Sequence, residues 1–391
     1  MTPGQVRAAL IGLAALSSVP AVHAVAPVGP PSISGVVISP KELVFDTRTG
    51  CEQIDIPDAP ARAFRDNHGT VHLVASHFVA RAMTGPSLNR LKRDCRAIYR
   101  SPQDRDPSHF KYKNWLFSFF SEDGRRFAAL VHSEFDADEI PGMCATPKDS
   151  NNCWWNTVTF AQSLDGGYNF LEPAPPRNLV AALPYRYVVG NRASAYGYAG
   201  PTNILKVDKL YYALINDWPY KAQQYGPCLI RTSNVFDPAS WRAWDGKAFT
   251  IRFADPYREK IAKPEEHVCP PVFAGSADTL LQHAGTGNFV TTQFAPDNRF
   301  GGAAGFYVQV SRDLMHWSKP SLLVPISALL ASDGAGKWTY GYDSLLDPTS
   351  IDRNFSIISD TPYLYYVRMD GKHPPYVRAL FRRKINLQIQ Q

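Results

Sequence analysis

An apolar run, a turn carrying serine and aspartate, and then an aromatic side chain recur along this chain, and that recurrence constrains the fold more than any other feature. The clearest copy runs from Gly305 to Trp317. Phe306, Val308 and Val310 alternate with Tyr307 and Gln309, the period of a half-buried strand, and Ser311-Arg312-Asp313 supplies short polar side chains that bond their own backbone in a turn. Thr157 to Ala161 followed by Ser163-Leu164-Asp165-Gly166-Gly167-Tyr168-Asn169-Phe170 has the same plan. So does Arg231 to Trp241, with a longer turn, and more weakly Phe117 to Gly124 with Phe127. Spacings of roughly 40 to 80 residues between copies suit propeller blades and not short solenoid repeats. The reading is all-β, a five-bladed β-propeller, with units near 55–100, 112–172, 196–253, 278–323 and 340–388.

Residues 1–24 read as a secretory signal peptide, with Arg7 the only charge, an apolar stretch from Ala8 to Val19 and small residues at Val22-His23-Ala24. The apolar stretch is too short to span a bilayer, and no later window is long enough, so the expectation is a soluble, exported mature chain. Residues 25–35 read as a Pro-rich disordered lead-in and 36–391 as one domain, since no Ser, Gly or Pro linker interrupts them. Six cysteines in an exported chain, with no close pair at metal-ligand spacing, point to disulfides. Cys144 with Cys153 is the pairing expected, closing a small polar loop. The formal charge of +6, or +5 without Arg7, is spread in short blocks (Arg90 to Arg96, Arg382 to Lys384), and no nucleic-acid module is present.

Short strands are expected at Val36 to Ser39 and Leu43 to Phe45, one of which would complete the last blade. Arg65 to Gly69 reads as a hairpin turn between Ala61 to Phe64 and Val71 to Ala75. Ala82 to Ile98, with Leu88, Leu91 and Cys95 at helix-like spacing, reads as a short helix or an ordered insertion. The remaining segments read as strands, with 32 prolines and 26 glycines as turn punctuation between them.

In a propeller, polar residues at or just before the innermost strands converge on a central depression although they are distant in sequence. Five segments fit. Ile56 to Phe64 holds Asp58 between Pro57 and Pro60, and Leu130 to Phe135 holds Glu134 among apolar neighbours. The others are Gly200 to Ile204, Cys228 to Thr232, and Tyr342 to Pro348 with Asp343 and Asp347.

Through these segments the chain resembles the five-bladed propeller glycoside hydrolases of families 43 and 32. Pro57-Asp58-Ala59-Pro60 is similar to the segment that carries their general base, and Ser311 to Trp317 to their frequent Ser-x-Asp-Leu-x-x-Trp. Gly200-Pro201 is similar to the Glu-Gly-Pro segment of their general acid, but Ala199 stands where that glutamate would be, so the acid role passes to Glu134. Ser163 to Phe170 matches a sialidase-type Asp box, a structural turn.

Glycoside hydrolysis needs two carboxyl groups flanking the bond, one protonated and one ionised. Desolvation by Leu130, Val131 and Phe135 is expected to retain the proton of Glu134, while Asp58 stays ionised near Arg62. Asp347 is expected to hold the acid's pKa or orient the sugar. Arg62, His77, Arg81, His132, Asn203 and Arg231 are expected to contact substrate, and Trp154, Trp155, Tyr187, Tyr196 and Tyr198 to offer stacking faces. Each has a structural reading as well: Asp58 a turn, Glu134 a partner of His132 or Arg62, Asp347 a turn acceptor before Pro348. The implied partner is a carbohydrate bound by a monomer, with no nucleic acid, no membrane span and no cofactor, leaving room for a structural calcium at the axis. A lectin-like propeller without activity and a propeller polysaccharide lyase are the alternatives.

Overall fold

The computed structural model describes residue 1 and residues 31–145, 153–189, 195–334, 338–370 and 377–390. Apart from Met1, the expected signal peptide lies outside the described residues, as does the lead-in up to residue 30. The regular structure of the described chain is almost all strand, in four antiparallel-rich sheets, with one short α-helix at Ile326–Asp333. One is a simple meander of Arg62–Arg65, Val71–Val74, Val79–Ser87 and Arg90–Arg100. A ten-stranded sheet contains Lys113–Leu116, Phe127–Asp136 and Trp154–Ser163 in one half, and Tyr196–Ala199, Leu210–Trp218, Gly226–Thr232, Arg242–Trp244 and Phe249–Ile251 in the other. A short parallel pairing, Tyr196 with Trp155 and Gly197 with Asn156, joins the halves.

A third sheet runs through Leu281–His283, Phe289–Ala295, Gly305–Ser311 and Ser321–Pro325. The fourth combines Thr339–Leu346, Tyr363–Met369 and Arg378–Gln390 with the N-terminal strands. Ser32–Val37 and Glu42–Asp46 both pair antiparallel with Arg378–Gln390, so the two ends of the described chain share one sheet.

The serine turns do what their side chains dictate. Ser163 Oγ accepts from Gly167 N–H at 3.0 Å, Ser311 Oγ from Leu314 N–H at 2.9 Å, and Ser121 Oγ from Gly124 N–H at 2.8 Å. The following aspartates accept further backbone donors, so each strand end is capped by its own turn. Gly167 has φ +88°, and a Cβ there would sit 2.4 Å from the Phe64 ring, so only glycine fits. Phe64 is fully buried against Phe119, Phe127 and Phe170, with ring centroids 4.5–6.4 Å away, and joins the first sheet to the ten-stranded one. Burying such a ring contributes roughly 2–3 kcal/mol.

Ala82 to Ile98 is not a helix. It is the hairpin of Val79–Ser87 and Arg90–Arg100. The helix-like spacing misled because Leu88 is buried in the hairpin turn, while Cys95 is tied to Cys51 by a disulfide rather than packed on a helix face. The expected Cys144–Cys153 disulfide is present, with Cα atoms 5.8 Å apart, although residues 146–152 of its loop lie outside the described residues. Cys228–Cys269 is the third. By loop entropy the two long-range bridges contribute about 4 kcal/mol each and the short Cys144–Cys153 loop about 2.6 kcal/mol. Among the described residues, no helix is long and apolar enough to cross a membrane.

Candidate active site

Residues from all four sheets meet at a cavity of about 470 Å³. Asp58 comes from the segment before Arg62–Arg65, and Glu134 from Phe127–Asp136. Trp154 and Trp218 come from the two halves of the ten-stranded sheet, Asp278 from the approach to Leu281–His283, and Tyr342 and Arg378 from the fourth sheet.

Asp58 is buried, 8% exposed, and is surrounded by donors. Its Oδ1 accepts from the Tyr342 hydroxyl at 3.0 Å and from the Arg378 guanidinium; its Oδ2 accepts from the Trp115 indole N–H at 3.3 Å and lies 3.2 Å from His77 Nε2. Burial holds the His77 imidazole down at about 4, although Asp58 pulls the other way, so at neutral pH its Nε2–H is an uncharged donor. Tyr342 reaches Asp58 because its strand bulges: the pairing register shifts between Gly341 and Ser344, and Tyr342 has φ +54°, a costly conformation for a residue with a side chain. Glu134 Oε1 lies 2.9 Å from His132 Nε2. Trp154 and Trp218 meet edge to face across 5.0 Å on the cavity wall, giving flat apolar faces of the kind sugar rings stack on.

The same bulge turns Asp343 inward against Asp278. The two carboxyls lie close enough to act on each other's charge. Burial first, and then the neighbouring acid, push Asp278 well above the carboxylate range; burial raises Asp343 as well. Arg62 lies beside both, its guanidinium lowered to about 10 by burial despite their pull. Because both acids are raised, the stability they contribute is present below the unfolded value near 4 and is lost as pH rises through their folded values. D343N is therefore expected to shrink the fall in Tm between pH 5 and pH 8 by about 2–4 °C, measured by thermal scans at both pH values. An undiminished fall would mean that the pair is not what titrates.

Among the expected site residues, Asp58, Glu134, His132 and Trp154 line the cavity. His77 stands behind Asp58. Arg62 is an internal strut, donating to Phe117 O at 3.1 Å and to Asp278 O. Asp347 is not at the cavity: it accepts from Thr349 N–H at 2.8 Å and Ser359 N–H at 2.7 Å in a turn elsewhere, the task its place before Pro348 suits. Arg81 binds Glu52 and Cys95 O near the Cys51–Cys95 disulfide. Asn203 clamps the backbone of Leu280, and Arg231 stacks on Phe249 at 4.1 Å. Trp155, Tyr187, Tyr196 and Tyr198 are core residues, with the hydroxyls of Tyr187 and Tyr198 bound to Met143 O and Gln223 Oε1. None of these lines the cavity, because local pattern does not say which face of each strand turns inward.

Asp278, Trp218 and Arg378 carry no signal in the sequence reading, while Tyr342 and Asp343 lie in one of its five segments without an assigned role. That segment carries a signal, an aspartate and a serine inside an otherwise strand-like run, yet its pattern points equally to Asp347, which the fold places elsewhere. The acidic and sulfur side chains of Asp217, Cys228 and Cys269 also cluster, yet both sulfurs are already in a disulfide.

No protein-family model matches the sequence, and none of the curated proteins matches it. Among solved structures, the chain is similar to a thermostable family-43 glycoside hydrolase at 9% identity and TM-score 0.42, over 88% of this chain and 92% of that one. It is likewise similar to the GH43_1 enzyme from Xanthomonas citri complexed with xylotriose, at 13% identity and TM-score 0.45, over 87% and 91%. The Cellvibrio cellulosa α-L-arabinanase gives 12% identity and TM-score 0.42, over 84% and 90%.

Proposed function

We propose that this chain is an exported, monomeric glycoside hydrolase whose sheets form a five-bladed propeller, the two halves of the ten-stranded sheet being separate blades. The observation that carries the reading is the cavity itself: two carboxylates from different sheets, Asp58 and Glu134, line one space with paired indoles suited to a sugar ring. In this reading Asp58, held in place by Arg378, Tyr342 and Trp115, is the general base that takes a proton from the attacking water. Glu134 is the general acid that protonates the leaving oxygen. Trp154 and Trp218, packed against each other, offer the sugar a flat apolar wall on one side of the cavity. The three disulfides and the N-terminal apolar stretch support an oxidising, extracytoplasmic setting.

A sugar-binding protein without turnover is the second reading, favoured by one observation: Tyr342, Arg378, Trp115 and His77 all donate to Asp58, so its lone pairs are heavily engaged. A panel of poly- and oligosaccharides assayed for released reducing ends decides between them. The expected result is release from at least one glycan. Binding without release would establish the lectin reading, and ultraviolet absorbance from an unsaturated uronate would establish a lyase.

A further inference from the structure

The strand that carries Glu134 also carries His132, two residues earlier and therefore on the same face. Its ring is buried, 5% exposed, against Phe117 at 5.1 Å and Trp115 at 6.0 Å between centroids. Nδ1 accepts the backbone N–H of Gly200 at 2.8 Å, so that nitrogen carries no proton and the other must. Nε2–H then points between Glu134 Oε1 at 2.9 Å and Asn156 Oδ1 at 3.1 Å. Asn156 is itself oriented by donating Nδ2–H to Tyr196 O at 3.3 Å, which turns its oxygen toward the imidazole. Gly200 is pinned from its other side too, since its carbonyl accepts from Asn216 Nδ2 at 3.1 Å. His132 thus spans the parallel seam between the two halves of the ten-stranded sheet and ends on the cavity carboxylate.

We propose that His132 positions Glu134 for proton transfer, using one ring nitrogen to anchor the Gly200 turn and the N–H of the other to fix Oε1. This rests on the hydrolase reading above. With Oε1 occupied as an acceptor, Oε2 is the oxygen left to carry the transferred proton. Of the titratable groups around Glu134, Asp136 stands two residues on along the same strand and Lys113 opposite Glu134 on the paired strand, while Asp58, Tyr342 and Arg378 line the same cavity.

Two substitutions separate the two contacts. Asparagine sets an oxygen near the place of Nδ1 and keeps the Gly200 anchor; glutamine reaches far enough to set an amide N–H near the place of Nε2 and keeps the contact with Glu134. The expected result is that H132Q holds within about 10-fold of wild-type kcat on natural glycans while H132N falls by about 100-fold, with KM little changed and activated aryl glycosides spared. A merely structural histidine would make H132N the better enzyme, or would lower both variants equally on natural and activated glycosides alike, and either outcome overturns the proposal. If wild type releases sugar from no glycan, the hydrolase reading itself falls and the proposal with it, a failure that these variants do not produce.

Discussion

Replacing Asp58 by asparagine is expected to cut turnover about 1000-fold, because the amide can no longer take the proton of the attacking water. The structure adds a second consequence. Asp58 forms an ion pair with Arg378, with side chains 9% and 17% exposed, so D58N leaves a largely buried guanidinium facing a neutral group there. Breaking such a pair from one side costs roughly 3–5 kcal/mol, and Tm should fall accordingly. Assays well below the lowered Tm, with circular dichroism to confirm folding and calorimetry to confirm sugar binding, separate the two effects. Tyr342→Phe supplies the control, since it removes one hydrogen bond to Asp58 and no proton acceptor, and should cost far less activity. A folded D58N protein that hydrolyses its glycan at near wild-type rate would make Asp58 a purely structural anchor for Arg378.

Glutamine at Glu134 is expected to give a loss that depends on the leaving group. On natural glycans, whose departing oxygen must be protonated, E134Q should lose about 100- to 10,000-fold in kcat. On activated aryl glycosides, which need little protonation, the loss should be near 10-fold or less. Glutamine can still accept the His132 N–H through its amide oxygen, so folding and KM should be close to wild type. Equal losses on both substrate classes would take the acid role away from Glu134 while leaving the hydrolase reading standing.

Much of this site is legible in local sequence, and the reason is distance along the chain. Period-two alternation, serine and aspartate bonding their own backbone, and prolines flanking Asp58 are all decided within a few residues, so the strands, the capping turns at Ser121, Ser163 and Ser311, and the segments carrying Asp58 and Glu134 can be read directly. The near-sequence pair Cys144 and Cys153 falls in the same class.

What local pattern leaves open is the face and the register. Trp154 and Trp155 are equally aromatic neighbours, but the pleat sends Trp154 to the cavity and Trp155 into the core against Tyr196. Helix-like spacing in Ala82 to Ile98 gave way to sheet pairing and to the disulfide with Cys51, both long-range. Asp347 and Asp343 are four residues apart; only a bulge at Tyr342 decides that Asp343 turns inward to Asp278 while Asp347 closes a distant turn. Arg378 meets Asp58 from 320 residues away, an ion pair that sequence distance hides entirely. Sequence by itself therefore determined the strands, their caps and which short segments carry acids, because those depend on neighbours. The tertiary structure alone decided which acids share a cavity and which cation, phenol and imidazole hold them, because those contacts exist only once four sheets converge.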